Sequence, residues 1–178
     1  EKTVYMFELP RTQDKAELVA YDAATGRRGA VLYTETNPKY VEPMHPIVFL
    51  PWDADKFIYQ TRRDGYNHLY LMSVSGGEPK QLTKGEFEVL QFLGFHAASK
   101  SVIIKSNEAS PIRHNLYAVN LKTLKRTLLD NGRGTHRATL SAGGAWLLDR
   151  WSAPDTFRQT ELVSTGGAKS VVLQTDGT

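Results

Sequence analysis

Along the whole chain, short runs of alternating apolar and polar residues are broken at intervals by Gly, Asp, Asn or Pro. Alternation with a period of two places successive side chains on opposite faces of an extended strand, so each run predicts a partly buried β-strand. The predicted strands are residues 4–7, 18–21, 30–33, 47–50, 57–61, 68–73, 80–83, 89–95, 101–105, 115–120, 126–129, 137–140, 146–149, 159–163 and 170–174. Between them lie turn signals such as Ala24-Thr25-Gly26, Arg63-Asp64-Gly65, Ser75-Gly76-Gly77, Asp130-Asn131-Gly132 and Ala142-Gly143-Gly144. Gly and Asn tolerate the positive φ that tight turns need. No stretch carries a sustained helical period of apolar residues, so the fold class is all-β.

The strands also repeat. His68-Leu69-Tyr70-Leu71-Met72-Ser73 turns at Ser75-Gly76-Gly77 and ends in Gln81-Leu82-Thr83-Lys84-Gly85. From 68 to 115, 47 positions on, the shape returns as Asn115-Leu116-Tyr117-Ala118-Val119-Asn120, with a turn at 121–124 and an end in Thr127-Leu128-Leu129-Asp130-Asn131-Gly132. A weaker copy runs from Glu161-Leu162-Val163 through Thr165-Gly166-Gly167 to Val171-Val172-Leu173, and a partial earlier one is Leu18-Val19-Ala20-Tyr21-Asp22. Four short antiparallel strands per repeat, the last two joined by a tight turn, is the pattern of a β-propeller blade. The first copy lacks its opening strand. The expectation is a partial β-propeller of about three complete four-stranded blades plus part of a fourth. Leu69 and Leu71 should point to one face of their strand, Tyr70 and Met72 to the other. Blades bury their faces against neighbours, so the outer faces of the terminal blades should be exposed and prone to self-association.

Composition narrows the function classes. The chain has 178 residues, enough for one domain with a core, and its 40% hydrophobic and 23% charged residues describe a globular rather than a disordered chain. Net charge is only +3, and the basic residues fall in separate groups at Arg27–Arg28, Arg62–Arg63 and Lys122/Lys125/Arg126. A nucleic-acid surface would need one concentrated stripe with interleaved aromatics, so no nucleic-acid partner is expected. The absence of cysteine removes disulfides, thiolate zinc sites and a cysteine nucleophile. No apolar run is long enough to span a membrane as a helix, and no signal peptide is visible. The chain opens mid-pattern at Glu1-Lys2-Thr3-Val4-Tyr5 and closes in the turn-like Thr175-Asp176-Gly177-Thr178, as a segment of a longer protein would.

The run Thr61-Arg62-Arg63-Asp64-Gly65-Tyr66-Asn67-His68-Leu69-Tyr70-Leu71, followed by Gln81-Leu82-Thr83-Lys84-Gly85-Glu86-Phe87-Glu88-Val89, resembles the propeller of the dipeptidyl peptidase IV group in the prolyl oligopeptidase clan. Residues 107–117 (Asn107-Glu108-Ala109-Ser110-Pro111-Ile112-Arg113-His114-Asn115-Leu116-Tyr117) and Gly134-Thr135-His136-Arg137-Ala138-Thr139-Leu140-Ser141 fit as well, so the likeness covers roughly residues 45–165. Among its members the likeness points to bacterial prolyl tripeptidyl and dipeptidyl aminopeptidases. The resemblance implies that residues 1–178 belong to an N-terminal eight-bladed propeller stacked on a C-terminal α/β-hydrolase domain of the same chain. It implies cleavage after proline near the free amino terminus of peptide substrates, with the propeller gating access. It further implies a homodimeric parent in the periplasm or cell envelope of a bacterium.

The chemistry itself is not expected in this segment. The nucleophile elbow Gly-x-Ser-x-Gly is absent. Ser141-Ala142-Gly143-Gly144 and Ser164-Thr165-Gly166-Gly167 read as hairpin turns. No acidic pair of the kind the family uses to hold a substrate's ammonium group is present, since Glu42, Glu86, Glu88 and Asp155 are isolated or sit in structural motifs. No catalytic, cofactor-binding or metal residue is therefore assigned, and no cofactor. Asp53-Ala54-Asp55 has calcium-loop spacing but lacks a third oxygen ligand and a closing Glu. Gly132-Arg133-Gly134 opens like a dinucleotide fingerprint, but Arg137 replaces the third Gly and no helix follows. His45, His68, His96, His114 and His136 show no metal-ligand spacing. His68 reads as a satisfied structural histidine, and Thr83 and Glu86 as caps for backbone groups where one blade hands over to the next. No Asn-x-Ser/Thr glycosylation acceptor occurs. A stand-alone periplasmic propeller of the TolB type, binding proteins through its loops, is the reading from another class. A propeller from an acylaminoacyl-type or oligopeptidase relative is a third.

Overall fold

The computed structural model describes residues 2–167 and 170–176. Glu1, Ala168, Lys169, Gly177 and Thr178 lie outside the described residues, and so does that part of the turn read from the sequence at 175–178.

Strands β1 (Thr3–Glu8), β2 (Lys15–Asp22) and β3 (Arg28–Thr36) form a three-stranded antiparallel sheet. Strands β4 (Val48–Leu50), β5 (Asp53–Thr61), β6 (His68–Ser73) and β7 (Lys80–Gln81) form a four-stranded one. A second four-stranded sheet is built from β8 (Val89–His96), β9 (Ser101–Ser106), β10 (Asn115–Asn120) and β11 (Arg126–Leu128). A third contains β12 (Thr135–Leu140), β13 (Trp146–Ala153), β14 (Thr156–Ser164) and β15 (Ser170–Thr175). Strand order follows chain order in every sheet, the meander that a propeller blade requires. The first sheet lacks an opening strand, as the partial first repeat predicts. Boundaries differ at exposed ends. Strand β5 starts four residues before its apolar core, and β13 runs on to Ala153. Strand pairing continues there through polar residues that carry no apolar signal.

The chain divides into two compact units, Glu1–Gly65 with Leu69–Gln81, and Tyr66–His68 with Leu82–Thr178. In the first, Leu18, Tyr33, Phe57, Tyr59, Tyr70 and Met72 form an aromatic core. Tyr70 and Met72 share it because they stand two residues apart on one face of β6. Phe7 and Tyr33 lie against Tyr59 with ring centroids at 5.0 and 5.9 Å, the offset contacts that aromatic quadrupoles favour. In the second unit the core is aliphatic, with Ile103, Leu116, Leu129, Leu147 and Val163 drawn from both of its sheets. The β12–β13 turn is seated by Gly144, whose φ is +71°. A Cβ there would stand 2.1 Å from the Phe95 carbonyl oxygen, so glycine is required both by conformation and by space.

Candidate functional site

The repeat places His68 and Asn115 at one blade position, and Thr83 and Asp130 at another. The structure joins the two positions within each repeat. His68 Nδ1 lies 3.0 Å from Thr83 Oγ1, and its Nε2 lies 3.0 Å from the Gly85 carbonyl oxygen. A carbonyl only accepts, so Nε2 donates to it, and the threonine hydroxyl, which can donate or accept, occupies Nδ1. In the next repeat Asn115 Nδ2 donates to Asp130 Oδ1 at 3.0 Å. The Asp130 carboxylate also accepts from the backbone N–H groups of Leu116 (2.6 Å) and Gly132 (2.7 Å). Both arrangements tie the start of a blade's third strand to the chain leaving the same blade. His68 is fully buried with both ring nitrogens occupied, the geometry of a structural histidine. The capping carboxylate differs from the expected one: Glu86 is exposed, and Glu88 accepts from the Asn67 backbone N–H at 2.8 Å. Glu88 is two residues nearer β8, where the Asn67 carbonyl also accepts from the Val89 N–H.

A second histidine forms a more polar cluster. His136 Nδ1 is 2.6 Å from Asp149 Oδ2, its Nε2 is 2.7 Å from the Arg133 carbonyl oxygen, and Asp130 Oδ2 lies 3.7 Å from the same Nε2. Both close partners only accept, so both ring nitrogens must donate and the ring is an imidazolium. Burial opposes that charge, but the Asp149 hydrogen bond and the two carboxylates outweigh it and raise the His136 pKa. Burial likewise pushes the Asp130 carboxyl up, against the pull of His136. The Trp151 ring stacks on His136 at 5.6 Å. A histidine–aspartate pair invites comparison with a catalytic dyad, but the Nε2 that would serve a nucleophile is spent on a backbone carbonyl. The cluster is structural.

The remaining residues singled out in the sequence are dispersed. Asp53 pairs with Lys56 at 3.0 Å and accepts from the Asp55 N–H, and Asp155 makes a bidentate contact with Arg133 at 2.7 and 2.8 Å. No group of three His, Asp or Glu side chains suited to a metal ion occurs among the described residues. Ser141 and Ser164 sit at the ends of β12 and β14, where their hydroxyls accept from the backbone N–H groups of Trp146, across the turn, and of Gly166, within it. Within the basic groups, Arg28 pairs with Glu8 and Glu17, and Arg126 with Glu108 at 2.6 Å. Arg63 lies 5.6 Å from the ring centroids of both Tyr33 and Tyr70.

A cleft of about 750 Å³ in the second unit was not foreseen from the sequence. Lys105 of β9, Arg137 of β12, Arg150 of β13 and Arg158 of β14 line it. These residues stand singly on four different strands, so no local run of basic residues announces them. The one usable signal is the parity of β13, where Leu148, Arg150 and Ser152 all fall on the exposed face and Leu147, Asp149 and Trp151 on the buried one.

Residues 1–158 match the family model for the dipeptidyl peptidase IV (DPP IV) N-terminal region. A relative from Aspergillus flavus named as a dipeptidyl peptidase 4 is 30% identical over 98% of this chain, which spans 23% of that relative. A crystal structure from Bacteroides ovatus, named as a dipeptidyl aminopeptidase IV, superposes with a TM-score of 0.87 at 40% identity, over 98% of this chain and 28% of that one. Porphyromonas gingivalis dipeptidyl peptidase 4 superposes with a TM-score of 0.85 at 25% identity, over 98% of this chain and 25% of that one. The chain therefore belongs to the dipeptidyl peptidase IV N-terminal region family, and its sheets are blades of that family's β-propeller.

Proposed function

We propose that this chain is the non-catalytic propeller segment of a serine exopeptidase that releases dipeptides or tripeptides after proline from peptide amino termini, and that it gates substrate access to a hydrolase domain. The observation that carries the proposal is the match over residues 1–158 to the N-terminal region of dipeptidyl peptidase IV. The chain spans only about a quarter of the relatives it matches, which leaves room in such a protein for a separate catalytic domain. The side chains fit a supporting role. The two buried histidines are consumed by structural partners, and Ser141 and Ser164 belong to hairpin turns. Fold alone does not dictate activity, so the reading rests on family membership and not on the blades.

The envelope of a bacterium is the proposed location and a homodimer the proposed assembly of the full-length protein. The test is fluorophosphonate labelling of that protein beside hydrolysis of chromogenic peptides with proline second or third from a free amino terminus. Labelling together with cleavage of either peptide supports the peptidase and distinguishes dipeptide from tripeptide release. No labelling and no cleavage would leave a propeller that acts by binding, as the TolB-type reading holds.

A further inference from the structure

We propose that the cleft lined by Lys105, Arg137, Arg150 and Arg158 is a binding site for peptide carboxylates. Arg137 of β12 and Arg150 of β13 are direct cross-strand partners. Like charges directly opposite each other in an antiparallel pair are destabilising, so this juxtaposition costs stability unless something compensates it.

Nothing in the surrounding strands does so. Strands β8, β9 and β12 contain no carboxylate. Those of β13 and β14 are Asp149 and Glu161, and both are committed elsewhere. Asp149 is turned to the buried face and bonded to His136 at 2.6 Å. Glu161 accepts from Trp151 Nε1 at 2.8 Å. Asp155, in the β13–β14 turn, is held by Arg133. Arg158 has one long contact, 3.8 Å to Asp176. Lys105, Arg137 and Arg150 have no acidic partner among the described residues. Lys105 is half-buried, and burial followed by the nearby Arg137 lowers its pKa, a second sign of uncompensated positive charge.

The rest of the lining suits an anion. Thr135, Thr139, Ser152 and Gln91 add neutral donors. A volume of about 750 Å³ is the size of a small-ligand or short-peptide site. The aromatic ring in the lining, Trp151, stacks on His136 and is not free to stack on a base, which disfavours single-stranded nucleic acid. That the carboxylate belongs to a peptide rests on the peptidase reading above. The cleft would then favour peptides with acidic side chains or a free carboxyl terminus.

The test is direct binding to the full-length protein by isothermal calorimetry at low salt, which reads the cleft whether or not a serine labels. The probes are acetyl-tetraglutamate amide, acetyl-tetraglutamine with a free carboxyl terminus, acetyl-tetraglutamine amide and inorganic phosphate. The expected result is binding of the first, the second or both, none of the uncharged amide, and weakening by roughly tenfold in Lys105→Gln and in Arg137→Gln. Lys122→Gln, on an exposed turn outside the cleft, should bind as the parent does. Unchanged melting curves would show that the variants are folded, and loss of binding in 0.5 M salt, where the Debye length is about 4 Å, would mark the contact as electrostatic. Three outcomes overturn the proposal: no carboxylate binding, phosphate binding without peptide binding, or peptide binding that Lys105→Gln and Arg137→Gln leave intact.

Discussion

At the scale of single residues, the most consequential group is His136, a buried cation held between Asp149 and Asp130. It binds its proton more tightly in the folded than in the unfolded chain. Its contribution to stability is therefore complete below the ordinary histidine value, 6.5, and is lost as pH rises through the raised folded value. His45 and His114, which burial pushes downward, act in the opposite sense. The comparison that isolates His136 is thus between the parent and Asp149→Asn, melted from about pH 5 to 8. The parent should lose more stability than the variant across the upper half of that range, and equal slopes would refute the imidazolium. His136→Gln should cost about 3–5 kcal/mol, because it leaves the Asp149 carboxylate buried without its partner. The sequence showed His136 only as one of five scattered histidines. Its partners lie 6 and 13 residues away on other segments, so its charge state depends on how those segments are packed.

At the scale of elements, the repeat legible in the sequence extends in the structure to individual hydrogen bonds. The turn after β2 and the turn after β10 are built alike. Asp22 Oδ1 accepts from the Ala24 and Thr25 N–H groups, and Asn120 Oδ1 accepts from those of Lys122 and Thr123. Each turn then closes with an N–H to the carbonyl of its first residue at 2.9 Å, from Gly26 in one and Leu124 in the other. The closing residue has φ of +70° in the first and +60° in the second. Glycine adopts that conformation freely, whereas a leucine there carries a steric penalty. Leu124→Gly should therefore stabilise the chain by roughly 0.5–1 kcal/mol, read as a higher urea midpoint. A lower midpoint would mean that the half-exposed leucine contributes more by packing than it loses in backbone strain. Strand positions followed from alternation because the period-two signal is written in adjacent residues. Strand ends did not, because pairing extends through polar residues such as Asp53 and Ser152 that only a neighbouring strand selects.

At the scale of the whole molecule, the two terminal sheets keep apolar residues on faces without a neighbouring sheet. Val4 and Met6 of β1 are 44% and 47% exposed, and Val171 and Leu173 of β15 are 55% and 54% exposed. In a closed propeller such faces meet further blades, so the 178-residue chain alone should self-associate. Sedimentation velocity over a rising concentration series should show species larger than the monomer, and a single monomeric boundary throughout would refute this. The fold class, the blade count and the family resemblance were all determined by the sequence alone, because alternation, turn chemistry and the repeat are carried by residues close together along the chain. The imidazolium at His136 and the convergence of Lys105, Arg137 and Arg150 were decided only by the tertiary structure. A charge is stabilised or left uncompensated by whatever the fold brings within a few ångströms of it, and those neighbours come from strands that the sequence separates.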